Sequence, residues 1–326
     1  MKKIDPEWVG QLETDKTLGS DSIQRLRQPT YTFSLFWELK TLLYTGVLLL
    51  STGLGILVYK NIDSIGHQAI LAFLALVTVG CHFFCYRKNP PFAWTKTNAQ
   101  SILYDYLLLL GSLCLLTFIG YLQYQYRIFG TRYGLATFIP MVWLFFSAYY
   151  FDHLGILSLA ITNLAAWVGI VVTPAKLLAE NDFDQPKLIF TGVGLGLFLL
   201  IVALISKRKG VKAHFDLTYK NFGGHLLYIS LIAGMVHYDS YYWAWLLPVL
   251  AFSYLVYRNA LQEHSFYYLL VFLLYAYGAV SYSFLNALHQ LNMEHYGGYI
   301  TNLYWLVSAL LTLRLLVLLN KKIKSS

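Results

Sequence analysis

The feature that most limits this chain is a succession of apolar runs about 18–22 residues long, each sufficient to cross a hydrocarbon core of roughly 30 Å. Candidate spans fall near 37–59, 66–86, 101–122, 133–150, 154–173, 188–206, 221–237, 241–258, 266–286 and 299–320. A soluble helical protein would show amphipathic stripes instead, with polar residues on every outward turn. Charged residues make up only 12% of the chain and hydrophobic ones 57%, whereas a water-covered domain usually carries about 25% charge. The expected fold is therefore all-α: a polytopic membrane bundle of about ten helices.

Lysine and arginine set the expected orientation. With the N-terminus inside, 17 of the 24 basic residues fall on the cytoplasmic side, including Arg87, Lys88, Lys207–Lys209, Lys212 and Lys321. Lys60, Arg127, Arg132, Lys176 and Lys187 fall outside, and Lys40 and Arg314 lie within spans. This asymmetry predicts that both termini are cytoplasmic. The same clustering beside span ends argues that the net charge of +8 is a topology signal, so no nucleic-acid partner is expected. Cys81, Cys85 and Cys114 all lie inside apolar runs, so no disulfide framework is implied. The first 35 residues lack an apolar h-region, and the first span is expected to serve as an uncleaved insertion signal.

Three segments result: residues 1–35 as a short cytoplasmic helical segment, 36–320 as the membrane bundle, and 321–326 as a basic cytoplasmic tail. In the first, Ile4–Leu12 and Ser22–Arg27 read as two short helices separated by Leu18-Gly19-Ser20-Asp21, with Ser20 or Asp21 as a cap. This segment is too small to form its own core, so it is expected to dock or to bind a cytoplasmic partner. Two connections, at Asp152-His153 and at Tyr238-Asp239-Ser240, are short enough to force antiparallel hairpins. Ile139-Pro140 and Leu247-Pro248, each followed nine residues later by a tyrosine, hint at a repeat of spans three to six in spans seven to ten.

The N-terminal pattern, Leu12-Glu13 through Gly19 to Ile23 and Leu26 ahead of a long series of apolar helices, resembles a family of uncharacterised bacterial polytopic membrane proteins grouped as a domain of unknown function. The resemblance implies a bacterial cytoplasmic (inner) membrane location and transfers no functional residue.

A polar group in hydrocarbon must be paired or useful, which singles out a few side chains. Asp105 lies about one turn inside the third span and Arg314 about six residues from the end of the tenth. With His82 and His225 at a similar depth, they could line a cytoplasm-facing cavity in which Asp105 and Arg314 pair. The alternative has Arg314 snorkelling to the headgroups and Asp105 stabilised by its helix N-terminus. On the outer face His67, His237, Asp239, His289, Glu294 and His295 form a second candidate group, although Asp239, like Asp152, is placed to N-cap the helix after a tight turn. Cys81 and Cys85 flank His82 at soft-metal spacing, but no second pair completes a site, and they are expected to pack as small hydrophobes. No P-loop, GxSxG, HExxH or CxxC pattern occurs, and neither cofactor nor metal is expected. Gly192 and Gly196 form a small-xxx-small step for close helix approach, and Pro140 and Pro248 should kink their spans.

Ten helices, broken spans and sparse intramembrane charge suit a transporter-like protein handling a small or amphiphilic solute. The competing classes are a membrane-embedded enzyme acting on lipid-linked substrates and a structural or regulatory subunit. The orientation is directly testable. Cysteines introduced by Gly210→Cys and Ile323→Cys should resist a membrane-impermeant maleimide in intact cells, whereas Asp182→Cys should react. Labelling of all three from outside would overturn the arrangement with both ends inside.

Overall fold

A computed structural model of the protein describes residues 36–60, 66–97, 101–172, 186–263, 265–290 and 297–325. Among these residues there are ten α-helices and no strand. The chain separates into two compact units, residues 1–59 and 60–326. Helix α1 (Phe36–Lys60) is the described part of the first. Two of its hydroxyls are satisfied within the helix, Ser51 Oγ and Thr52 Oγ1 both donating to the Leu48 carbonyl at 3.0 and 2.8 Å, as a segment facing hydrocarbon requires. The two short N-terminal helices expected before it lie outside the described residues.

The second unit contains α2 (His67–Lys88), α3 (Ile102–Tyr126), α4 (Tyr133–Phe151), α5 (Leu154–Val172), α6 (Pro186–Lys209), α7 (Asp216–His237), α8 (Tyr242–Gln262), α9 (Phe266–Gln290) and α10 (Gly297–Ser325). Each expected span falls on one helix. Eight helices, α2–α6 and α8–α10, are long and apolar enough to cross a membrane. Helix α7 has the length but carries Asp216, Lys220, Asn221 and His225 in its first three turns, which lowers its hydropathy. A helix of this kind needs protein neighbours at its polar end, because lipid offers that end no partners.

Consecutive helices pack most closely as the hairpins α2–α3, α4–α5, α6–α7 and α8–α9. Small residues permit the closest approaches. A Cβ on Gly111 of α3 would lie 2.8 Å from the Cys81 Cβ and 2.9 Å from His82 Nδ1 on α2. Between α6 and α7 the contact is backbone to backbone: a Cβ on Gly196 would lie 3.0 Å from the Leu227 nitrogen and 3.1 Å from the Gly223 carbonyl oxygen. Only a glycine pair allows this. Gly192, the other half of the expected small-residue step, faces the Ser230 side chain, and Gly194 faces open space.

Pro140 and Pro248 both stay inside continuous helices. Pro140 withholds a donor from the Ala136 carbonyl, and at that turn Asn163 Nδ2 on α5 donates to the Thr137 carbonyl at 2.9 Å. Apolar burial then joins the hairpins. One cluster, with Leu108, Leu144, Ile156, Leu199 and Phe215, runs from α2 to the start of α7; a second, with Leu227, Tyr228, Met235 and Val249, joins α6 to α9. Outward leucines such as Leu306, Leu310 and Leu313 on α10 are more than 60% exposed, as lipid-facing residues should be.

The glycine contact makes a prediction. Gly196→Val should force α6 from α7 and cost about 1–3 kcal/mol, the usual penalty of overpacking, while Gly194→Val should be near neutral. Thermal unfolding of the two variants in detergent reads the difference, and equal midpoints would remove the close approach.

Candidate functional site

At the end of the second unit that carries Arg87, Lys88 and Lys207–Lys209, three connections meet around one carboxylate. Asp152 follows α4 in the left-handed conformation, φ 56° and ψ 44°, which turns its side chain back over the corner. Its Oδ1 lies 2.9 Å from Lys212 Nζ and 2.8 Å from His214 Nε2, both in the α6–α7 connection. Its Oδ2 accepts from the Thr97 backbone N–H at 2.7 Å and the Thr97 hydroxyl at 2.9 Å, in the α2–α3 connection. The Lys212 side chain is fully buried and that of Asp152 is 4% exposed. Lys212 is itself held by its N–H to the Trp94 carbonyl (2.7 Å) and by Ser206 Oγ, which donates to the Val211 carbonyl at 2.7 Å. Burial alone would push the Asp152 carboxyl up, but Lys212, then Thr97 and His214, hold it below its usual range. Burial lowers His214 despite the facing carboxylate.

The N-cap role expected of Asp152 is therefore corrected. His153 caps α5 instead, its Nδ1 accepting from the Ile156 N–H at 3.1 Å. That bond leaves the proton on Nε2, which faces Asp105 Oδ1 at 3.9 Å. Asp239 is corrected in the same way: its Oδ1 accepts from Tyr282 (2.9 Å) and Asn286 (2.7 Å) on α9, so it ties a turn to a neighbouring helix and caps nothing.

Beside this end, α7 opens onto a cavity of about 60 Å³ shared with α8 and α9. His225 sits in its wall between two phenols, Nδ1 at 2.9 Å from the Tyr275 hydroxyl and Nε2 at 2.9 Å from that of Tyr267. Lys220 lies at its edge in a closed network: 3.0 Å from Asp216 and 3.0 Å from Glu263, while Lys207 reaches Glu263 at 3.2 Å and Asp216 at 3.9 Å. Burial would raise Glu263, but Lys220 and then Lys207 hold it below its ordinary value. Phe252 on α8 lines both this cavity and an apolar groove of about 530 Å³ between α6, α7 and α8, whose wall includes Trp245 and Pro248. Pro248 cannot donate to the Ala244 carbonyl, and Ala244 lines the same groove.

The four residues expected at one cavity are dispersed. His225 lines the α7–α9 cavity, whereas His82 lines a separate apolar groove of about 580 Å³ with Trp143 and Tyr150. Asp105 faces His153, and Arg314 is exposed on α10; no Asp105–Arg314 ion pair occurs among the described residues. Equal depth did not imply equal bearing around the bundle. Of the outer group, His67 Nδ1 meets the Tyr121 hydroxyl at 2.6 Å, His237 packs edge-on against Tyr238, and His289 is exposed at the end of α9. Glu294 and His295 lie outside the described residues. Cys81 and Cys85 are buried, packed between α2 and α3, and no cluster of three or more metal-ligating side chains occurs among the described residues.

Residues 4–157 match the model of a family described as "Predicted membrane protein (DUF2157)". The resemblance of the N-terminal segment thus extends through α4, taking in Asp105 and Asp152 but stopping before Lys212 and His225. No curated protein and no solved structure matches the chain.

The buried pair predicts its own mutational signature. Asp152→Asn leaves Lys212 buried without a counter-charge and should cost about 3–5 kcal/mol, whereas an apolar replacement of both partners should cost far less. His214 adds a pH dependence. Its lowered folded-state value means that the unfolded chain takes up the proton first, so its contribution is intact above about pH 6.5 and is lost as pH falls below that. Thermal midpoints measured from pH 7.5 to 5.5 should therefore decline, and more steeply for wild type than for His214→Gln. Parallel curves would remove His214 from the effect.

Proposed function

We propose that this is a transporter-like protein of the bacterial inner membrane that handles an amphiphilic solute. Its site lies where α7, α8 and α9 meet, with the solute's polar end at His225 and its apolar part in the groove against Trp245 and Pro248. The observation that carries this reading is Phe252, which belongs to the wall of both the polar cavity and the apolar groove. An amphiphile needs those two environments side by side, and binding sites combine apolar walls with a few placed polar groups. Further support comes from Asn221 on α7: a polar group at this depth must be paired or useful, and its Oδ1 has no hydrogen-bond partner among the described residues. The broken hydrogen bond at Pro248 supplies a place where α8 can flex, as interrupted helices do around transport sites. In this reading the basic end faces the cytoplasm, and residues 1–35 bind a cytoplasmic partner.

The test is transbilayer movement in vesicles containing the purified protein. Chain-labelled fluorescent lipids with glycosyl, phosphoglycerol or phosphoethanolamine heads cross protein-free bilayers slowly. Wild type should expose the inner-leaflet pool of at least one of them to dithionite, and Phe252→Trp should slow that exposure. Rates at the protein-free level for every headgroup would overturn the transport reading.

A further inference from the structure

We infer that the cavity beside His225 takes an uncharged, hydroxyl-bearing headgroup about the size of glycerol, and not a phosphate. This rests on the amphiphile reading above and gives that site its substrate class.

Size sets the first limit. A water-sized group needs roughly 10–15 Å³ of such space, so a cavity of about 60 Å³ holds about four to six heavy atoms. Charge sets the second. Lys220 at the edge and Lys207, which shares its partners, are matched by the two carboxylates of Asp216 and Glu263. A phosphate would have to take Lys220 from both partners and leave a carboxylate of this partly buried network uncompensated, which costs more than it returns.

Hydrogen-bonding capacity decides the class. Tyr268, in the cavity wall and only 8% exposed, has a hydroxyl with no partner among the described residues, and Asn221 Oδ1 in the same wall also has none. One can donate and the other accepts. His225 is placed between two phenols, which uses one ring nitrogen as donor and the other as acceptor, and each phenol oxygen keeps capacity for a further bond. A wall that offers donors and acceptors together complements hydroxyls, which are both. Phosphate and carboxylate oxygens only accept, so they would leave Asn221 Oδ1 unmet. An acyl chain leaving the headgroup past Phe252 enters the groove, which completes the outline of an acylglycerol.

The full-length protein in amphipol can be titrated with three probes sharing one oleoyl chain: 1-monooleoylglycerol, 1-oleoyl-lysophosphatidic acid and methyl oleate. Monooleoylglycerol should raise the thermal midpoint, and the other two should not at equal concentration. Tyr268→Phe should leave the lipid-free midpoint at or above that of wild type, because its hydroxyl has no protein partner, and should weaken monooleoylglycerol binding about three- to tenfold, the worth of one hydrogen bond. Stronger binding of the lysophosphatidic acid overturns the headgroup class and leaves the amphiphile reading standing. Equal binding of methyl oleate shows that the chain alone is recognised, and Tyr268→Phe binding like wild type removes the cavity; either result overturns the inference. No shift with any probe also overturns it, while the amphiphile reading falls only if lipid movement stays at the protein-free level too.

Discussion

The arrangement of the second unit depends on the buried charge pair between Asp152 and Lys212. Within a bilayer, apolar side chains gain little by choosing a neighbouring helix over lipid tails, so hydrophobicity cannot by itself register one hairpin against another. Directional contacts must do so. The Asp152 carboxylate ties the α4–α5 corner to the α6–α7 connection through Lys212 and His214, and to the α2–α3 connection through Thr97. With Lys212 wholly buried, neither partner has water to fall back on. The pair adds little net stability over an apolar substitute, but separating it is costly, and that asymmetry is what makes it a register device.

From that tie follows the position of α7. The connection that presents Lys212 and His214 also delivers α7 next to α6, where Gly196 and Gly223 bring the two backbones together. The polar first turns of α7 are then covered by protein: Glu263, in the α8–α9 connection, closes the Lys220–Asp216 network, and Tyr267 and Tyr275 of α9 enclose His225. A helix too polar for lipid on its own becomes tolerable because its neighbours supply the hydrogen bonds.

Much of this was legible in the sequence, and the unreadable part has a physical pattern. Hydropathy located the ten α-helices of the described residues because the bilayer requirement acts on each segment separately. It placed the start of α7 at 221, five residues late, since Asp216 and Lys220 look like loop residues until Glu263 and Lys207 are seen to pair with them. The glycine step on α6 was visible, but its partner Gly223 was not, because contact across helices leaves no local mark. Asp152 and Asp239 look like caps in the sequence because each follows a tight turn. Their actual partners lie about 40 to 60 residues away, beyond any local rule. Helical rise gave His82, His225, Asp105 and Arg314 a common depth, but depth does not say which neighbour each one faces.

His82 and His225, both within helices, differ in what their ring nitrogens meet. His82 Nδ1 lies 2.8 Å from its own helix's Thr78 carbonyl, which can only accept, so Nδ1 carries the proton. Its Nε2 is then an acceptor, and the Trp143 indole N–H at 3.4 Å supplies it. Both nitrogens are committed to rigid partners, and the surrounding groove of about 580 Å³ is walled by rings such as Phe83, Phe146 and Tyr150. That recess can hold an apolar chain, and the polar group left in its wall is the Thr78 hydroxyl, which has no hydrogen-bond partner among the described residues. His225 meets hydroxyls on both sides: the phenol that accepts from the ring N–H keeps its own proton for an incoming group, and the phenol that donates to the ring keeps a lone pair. Tyr267 is exposed while Tyr268 beside it is buried, so the site offers an entrance as well as an interior. Selectivity requires several polar groups with hydrogen-bonding capacity to spare; the recess beside α7 gathers Asn221, Tyr267 and Tyr268 around His225, whereas the His82 groove has the Thr78 hydroxyl among aromatic rings.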